Sequence, residues 1–401
     1  MVFIESNTSG TGRKFADIAR TSGFVPVMLT ADPSRYSYLV QDKIQVVRAA
    51  TSDLTSVLVC CESLEASFSI AGISSSSEYY IATSAAAAAA MGLPGPNPNA
   101  ILECRDKSRQ CTILAHESVP VPAFHAATTV AEAIDFATAI DYPVVVKPLT
   151  GSGSVGVRLC RNHADVQEFA GQLFQSFVNE PGAASAPCVL VERYVEGIGY
   201  SVETMGTEVI GITRKHPGMH CSFVATGHDF PGAIDRTAAA ELENVTMSGL
   251  RALRLLWGPA HTELCYTTEG AVIIEVNPRL AGAMIPELIR LATGRDLIQE
   301  TIALSTNTGI DRQSALNRYS AIRFLVPPKE GKLISVMGFD SAKKVTNVVS
   351  VALYATIGTT LRLHEDFRDK IGHVIAVADD RDVAGLAAEE SLSHIAVSIA
   401  P

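Results

Sequence analysis

Short apolar runs alternate with amphipathic stretches along the first hundred residues. "MVFIES" and "FVPVMLT" read as strands, while "GRKFADIARTSG" between them has helical periodicity. The apolar run "TSVLVC" and an alanine-rich helix follow, so the spacing predicts a small α/β unit with a parallel sheet. "LPGPNPNA" marks its boundary. "RDKSRQCTILAHESVPVPAF" then reads as a helix stopped by valine and proline. "TTVAEAIDFATAI" reads as a helix with a threonine cap and a glutamate three residues on. "YPVVVKP" predicts a strand, "GSGSVGVRLC" a glycine loop entering another, and residues 163–178 a polar helix. "PCVLVERYVEG", "GYSVETM" and "EVIGITRK" predict strands, followed by the long helix "TAAAELENVTMSGLRALRLL". "AHTELCYTTEGAVIIEVNP" predicts a hairpin turning at "TTEG". The tail from "RYSAIRFLVP" to "GHVIAVAD" is strand-like and ends in the helix "VAGLAAEESLSHIA". It reads as a separate subdomain folded against the main body. The fold class is α/β, with α+β character in parts, and four units are expected: 1–98, 99–188, 189–309 and 310–401.

Composition narrows the function classes. The chain has 401 residues, 47% hydrophobic and 18% charged, with a formal net charge of −10. That is globular, and it argues against a general nucleic-acid or anionic-membrane binder. The N-terminal run is too short for a secretory signal, and nothing approaches a membrane span. Eight cysteines without a CxxC pair read as free thiols of a cytoplasmic protein.

Two glycine loops carry candidate chemistry. "SGTG" precedes a helix and Asp32 follows the next strand, a partial dinucleotide fingerprint with Phe15 in place of the third glycine. "GSGSVG" (151–156) matches G-x-G-x-x-G but runs into strand periodicity, which excludes a Rossmann loop. It also lacks the Gly-Lys-Ser/Thr ending of a P-loop. A flexible hairpin closing over phosphates remains, with Ser152, Gly153 and Ser154 at its tip and Lys147 on the strand before it. An ordinary glycine-rich turn is the plain alternative.

"AVIIEVNPRLAG" is an apolar strand that ends in Glu275, Asn277 and Arg279 on alternate positions. Glu263 lies on the partner strand of the same hairpin, where pairing can set it beside Glu275. Hard oxygen donors of this kind suit Mg²⁺ that phosphates also hold. A Glu275–Arg279 ion pair is the structural alternative. His216 and His220 are separated by Pro217 and Gly218, which argues against a helical zinc pair.

Taken in order, Lys107 in "DKSRQCTIL", Lys147 in "VVVKP", the glycine loop, "VLVERYVEG", Glu263 and "EVNPR" resemble the ATP-grasp superfamily. The resemblance implies an N-terminal Rossmann-like preATP-grasp domain, an ATP-grasp fold and a β-rich C-terminal subdomain. It implies ATP and one or two Mg²⁺, with Mn²⁺ as a substitute. Lys107, Lys147, Ser152, Gly153 and Ser154 would meet phosphates, and Glu192, Arg193, Tyr194 and Val195 would form the adenine hinge. Glu263, Glu275 and Asn277 would hold metal. Arg279 would bind the reacting carboxylate. Many members carry a ribose-binding acid where this chain has Gly199; Glu203 is the expected replacement.

Within the superfamily, "NTSGTG…GFVPVMLTADPSRY", "GITRKHPG…FVATGHDFPG" and "AIRFLVPPKEGKL…IGHVIAVADD" resemble the L-amino acid ligases. Lys215 would be the substrate-side lysine, with Gly282, Met284, Ile285, Met219 and Phe223 near the substrates. The implied reaction makes an acylphosphate and passes it to an amine, giving a dipeptide in specialised metabolism, with small acids and amines as partners. Relatives commonly form homodimers. The alternatives are the same fold acting on another acid in siderophore or nucleotide-precursor synthesis, a dinucleotide-dependent oxidoreductase using "SGTG", and a nucleotide-binding regulator.

Overall fold

The structure, a computed structural model, describes residues 1–8, 11–176, 187–218, 223–309 and 316–400. Gly10 of the "SGTG" loop, Met219, His220, Cys221 and the expected boundary at residue 310 lie outside the described residues.

The N-terminal unit is a four-stranded parallel sheet in the order Gln45–Arg48, Val27–Thr30, Val2–Ile4, Ile73–Ser74. "TSVLVC" belongs to the helix Leu54–Glu65, capped by Asp53, whose carboxylate accepts from the Thr55 and Ser56 amides. The β-branched content of that run loses to its cap and to burial of Val57, Cys61 and Leu64 on one helical face. The other face of the sheet packs Phe3 and Phe15 with Ile298 and Ile302 of the helix Leu297–Ser305. A shared core thus joins this unit to the rest of the chain.

A four-stranded antiparallel sheet comes next, in the order Phe124–Ala127, Val189–Arg193, Val144–Pro148, Arg158–Cys160. The helices Val130–Ala139 and His163–Gln175 cover it. Thr129 caps the first as expected, its hydroxyl accepting from the Glu132 amide at 3.1 Å. Val189–Arg193 fills the centre of this sheet, so the small subdomain extends past the expected boundary at 188.

The large sheet has eight strands: Gly270–Asn277, Pro259–Thr267, Ile198–Met205, Glu208–His216, Gly227–Phe230, Tyr319–Leu325, Gly372–Ala378 and Val348–Leu353. The last three come from the C-terminal tail, which therefore extends the main sheet rather than standing apart. The tail also ends in a strand, Ala396–Ala400, paired with Gly331–Met337, and not in the expected helix. The hairpin turns at "TTEG", where Gly270 has φ +116°. No described helix is long and apolar enough to cross a membrane.

Candidate active site

A cavity of about 1800 Å³ lies where the small sheet, the large sheet and the N-terminal unit meet. Its walls include Lys107, Lys147, Ser152, Gly153, Ser154, Glu192, Arg193, Tyr194, Val195, Lys215, Glu263, Glu275, Asn277, Arg279, Gly282, Met284, Ile285 and Phe223. Of the expected site residues that are described, Glu203 is the one left out.

The hairpin sets the carboxylates. Glu263 and Glu275 are direct register partners, and Asn277 follows two residues on, across from His261. Gly270–Asn277 is an edge strand, and an open edge needs its backbone groups satisfied. Gln110 does this at Val276: its amide donates to the Val276 carbonyl and accepts from the Val276 N–H, both at 2.8 Å. The same clamp fixes the helix Lys107–His116, capped by Asp106, against the strand. Lys107, the first residue of that helix, thereby reaches Glu275 at 3.1 Å and donates to the Gly151 carbonyl at 2.9 Å.

Four cavity carboxylates, Glu78, Glu192, Glu263 and Glu275, hold cations of the chain. Lys147 reaches Glu192 at 2.6 Å, both buried. Burial alone would lower the Lys147 pKa; Glu192 and Glu275 outweigh it and hold it above the ordinary lysine value. Glu192 is thus taken up by Lys147, and the segment after it, expected to form the hinge, is largely exposed. There the Arg193 and Tyr194 amides are already bonded, to the carbonyls of Ala123 and Pro143. Lys215 reaches Glu263 at 2.6 Å, and His261 touches Glu263 at 3.2 Å. Burial pushes Glu263 up, but Lys215 and His261 reverse the sign and hold it well below the ordinary carboxylate value.

Glu203 is corrected by the same network. It is 3% exposed, and its carboxylate accepts from Ser201 Oγ and bonds His261 Nδ1, each at 2.8 Å. It lies behind His261 and does not line the cavity, so it is not placed for the ribose contact expected of it. Burial would depress His261, but Glu203 and Glu263 carry its pKa up to about 9. A Cβ at Gly199 would touch only the Lys215 stem, at 3.5 and 3.9 Å. Glu196, on the exposed loop after the hinge, is the acid of this segment that lines the cavity.

Arg279 pairs with Glu78 rather than Glu275. Its guanidinium also donates to the Leu280 carbonyl at 3.0 Å and to Asn277 Oδ1 at 3.3 Å. Glu78 comes from the serine-rich loop before the helix Ile81–Ala90 and had no signal in the sequence. Burial pushes Glu78 up, yet Arg279 and Arg105 beside it bring it below the ordinary carboxylate value. His261 was also missed, although it lies two residues before Glu263 on the same strand face. The "LAGAM" turn holds Ala283 and Met284 at φ +51° and +63°, an uncommon conformation for such residues, just before the helix Ile285–Thr293.

Glu263, Glu275 and Asn277 offer hard oxygen donors beside two lysines, a set that fits Mg²⁺ shared with phosphate. No group of three or more His, Cys, Asp or Glu able to hold a metal occurs among the described residues, so phosphate oxygens would have to complete the shell. The glycine loop is a hairpin tip, with Gly151, Gly153, Ser154 and Gly156 all at positive φ. Among the described residues nothing supports the dinucleotide alternative. Asp32 turns back to accept from the Ser34 amide and hydroxyl, and Phe15 is core. The described cysteines are free, as expected.

Comparisons with known proteins bear on the fold and the family. Residues 140–287 match the ATP-grasp domain, and residues 323–400 match the L-amino acid ligase C-terminal domain 2. An uncharacterised protein of Sinorhizobium fredii is 37% identical over 401 residues, covering 100% of this chain and 83% of that one. The L-arginine-specific L-amino acid ligase of Bacillus subtilis is 22% identical, over 70% of this chain and 68% of its own. Mouse carnosine synthase 1 is 25% identical over 82% of this chain, which spans 41% of that longer protein. The L-amino acid ligase structure from Bacillus licheniformis superposes with a TM-score of 0.82 at 17% identity, over 100% of this chain and 99% of that one. This chain belongs to the ATP-grasp superfamily, among the ATP-dependent carboxylate–amine ligases that carry the L-amino acid ligase C-terminal domain.

Proposed function

We propose that this ligase activates an amino acid carboxylate as an acylphosphate and joins it to the amine of a second amino acid. The observation that carries this reading is the Glu263–Glu275 register pair, set in one cavity with Lys107, Lys147, the glycine loop and Arg279.

A carboxylate and a triphosphate repel each other, so the first step needs concentrated positive charge. Lys107 and Lys147 supply it on the phosphate side, beneath the loop 151–156. Val195 and the hinge carbonyls face the base, and Glu196 takes the ribose hydroxyls. Glu263, Glu275 and Asn277 would hold Mg²⁺, which neutralises charge developing on the transferred phosphoryl group. Arg279, steadied by Glu78, holds the reacting acid and later the oxyanion left by amine attack. Amides of the "LAGAM" turn add donors there, each worth about 3–4 kcal/mol of barrier. Closure of the glycine loop keeps water from the acylphosphate.

The test is a matrix of amino acids and small acids, screened in pairs for ADP and phosphate release with ATP and Mg²⁺. An amino acid pair that raises release and yields a dipeptide supports the reading. Release with a different acid would reassign the donor. Glu275→Gln should lower acid-dependent turnover at least about 100-fold; turnover that survives this change would refute the assigned site.

A further inference from the structure

The cavity is lined by four lysines, and three of them hold carboxylates: Lys107, Lys147 and Lys215. Lys370 has no carboxylate within ion-pair distance among the described residues. It follows the turn Phe367–Asp369 and precedes the strand Gly372–Ala378. Its ammonium sits 3.9 Å from the Phe324 ring centroid. His228 packs edge-on with the same ring, the two centroids 5.7 Å apart. His228 is 2% exposed, and neither ring nitrogen has a hydrogen-bond partner among the described residues. A buried imidazole without partners beside an unpaired cation is costly unless a ligand completes the set.

Both groups line the active-site cavity, on the wall contributed by the C-terminal strands. His228 is the register partner of Lys215, so strand order puts this wall beyond Lys215 from Glu263 and Glu275. Arg279 and Glu78, at the donor side, belong to a different wall.

We propose that Lys370, together with His228 on the same Phe324 ring, seats the carboxylate of the amine-bearing substrate, which is therefore an amino acid and not a simple amine. The proposal rests on the ligase reading above and adds which end of the acceptor is recognised. An ammonium over an aromatic face, with an imidazole N–H at hand, is a carboxylate receptor of modest reach. Burial and the nearby Lys215 push Lys370 down to about 8, with Glu263 only partly offsetting them, as expected for a cation that lacks its own anion. A phosphate of ATP offers the same charge, and the experiment separates the two.

Hydroxylamine, a carboxylate-free acceptor, first reports donor activation as hydroxamate. Absence of hydroxamate with every amino acid donor would refute the ligase reading itself. With a donor established, the twenty L-amino acids and their carboxamides are compared as acceptors. The wild-type protein should favour acids over amides by about 10- to 100-fold in kcat/KM. Lys370→Met should erase most of that preference through the acceptor KM, and Lys370→Arg should restore it. Equal use of acids and amides by the wild type would overturn the proposal without any variant. So would an equal loss for both acceptor types in Lys370→Met, or a loss expressed in the KM for ATP.

Discussion

Gly153 sits at the tip of the phosphate loop with φ +70°, and a Cβ built there would lie 2.5 Å from Cδ1 and 3.1 Å from Cγ of Phe367. Phe367 belongs to the C-terminal tail, and its amide donates to the Gly153 carbonyl at 3.1 Å. Gly153→Ala therefore meets two separate costs. The left-handed backbone costs an alanine about 1–2 kcal/mol. Carbon atoms rest at roughly 3.5–4.0 Å, so the ring or the loop must move by about 1 Å. Overpacking of this kind costs about 1–3 kcal/mol; Phe367 is 53% exposed and can swing away, which favours the low end. Together about 2–3 kcal/mol predicts a 30- to 150-fold fall in kcat/KM for ATP. Phe367→Ala relieves only the clash, so the double variant should recover about 1 kcal/mol, or roughly fivefold. The assay is a double-mutant cycle on ATP-dependent ADP release. A coupling below about 0.5 kcal/mol, the ordinary additivity error, would mean that Phe367 does not touch the loop in the working enzyme.

Two further perturbations test other parts of the argument. Glu78→Gln leaves the Arg279 guanidinium without its anion; because both side chains keep some exposure, the expected cost is about 2–3 kcal/mol in urea unfolding, below that of a fully buried pair. The donor-acid KM should rise about tenfold while the KM for ATP holds, and an unchanged donor KM would detach Arg279 from the donor. His373 is buried, bonds Ser350 Oγ at 3.0 Å and Tyr354 through its two nitrogens, and has its pKa pushed down to about 4 by burial. Its folded pKa lies below the unfolded value, so the neutral ring's contribution is whole above about 6.5 and is lost as pH falls through about 4. The loss is about 3 kcal/mol. Urea curves at pH 7.5 and 4 should show the stability gap between wild type and His373→Gln shrinking by that amount; parallel pH slopes would contradict it.

The legibility of this site follows the range of its contacts. The tight "TTEG" turn makes the hairpin legible, but strict pairing from Thr267–Gly270 would set Glu263 across from Ile274; the register shift between Glu263 and Leu264 is what brings Glu263 onto Glu275, and alternation gives no sign of it. Lys107, Lys147 and the glycine loop were readable because short spacings put them at element ends. Glu203 shows the limit of alternation: the period of two assigns a face, but not depth along the strand or a competing partner such as His261. Glu78 lies 201 residues from Arg279, and a run of serines offers no periodicity to place it. Its role exists only once the N-terminal unit packs on the helix Leu297–Ser305. Lys370 was hidden for the same reason: its neighbours His228 and Phe324 lie on two other strands. The strand-like tail was read correctly as β-rich, but periodicity cannot say which sheet a strand joins. The apolar run in "TSVLVC" was ambiguous between helix and strand until Asp53 is taken as a cap.

The four ion pairs also bear on how the site admits its substrates. Lys107–Glu275, Lys147–Glu192, Lys215–Glu263 and Arg279–Glu78 each neutralise one carboxylate of the cavity wall before anything binds. Isolated, any of these groups would face a dehydration penalty of several kcal/mol. On the proposed reading, Glu263 and Glu275 would hold a divalent cation, and Lys215 and Lys107 would then part from them. Phosphate oxygens and the substrate acid then supply the lysines with new anions. Binding becomes an exchange of partners that roughly conserves the number of ion pairs, so little new desolvation is required. Lys147–Glu192 and Arg279–Glu78 contain no expected metal ligand, so on this reading they would keep their partners and hold position while the others trade. Lys370 stands outside both sets: with no ion-pair partner among the described residues to exchange, it would gain one when the proposed acceptor carboxylate arrives.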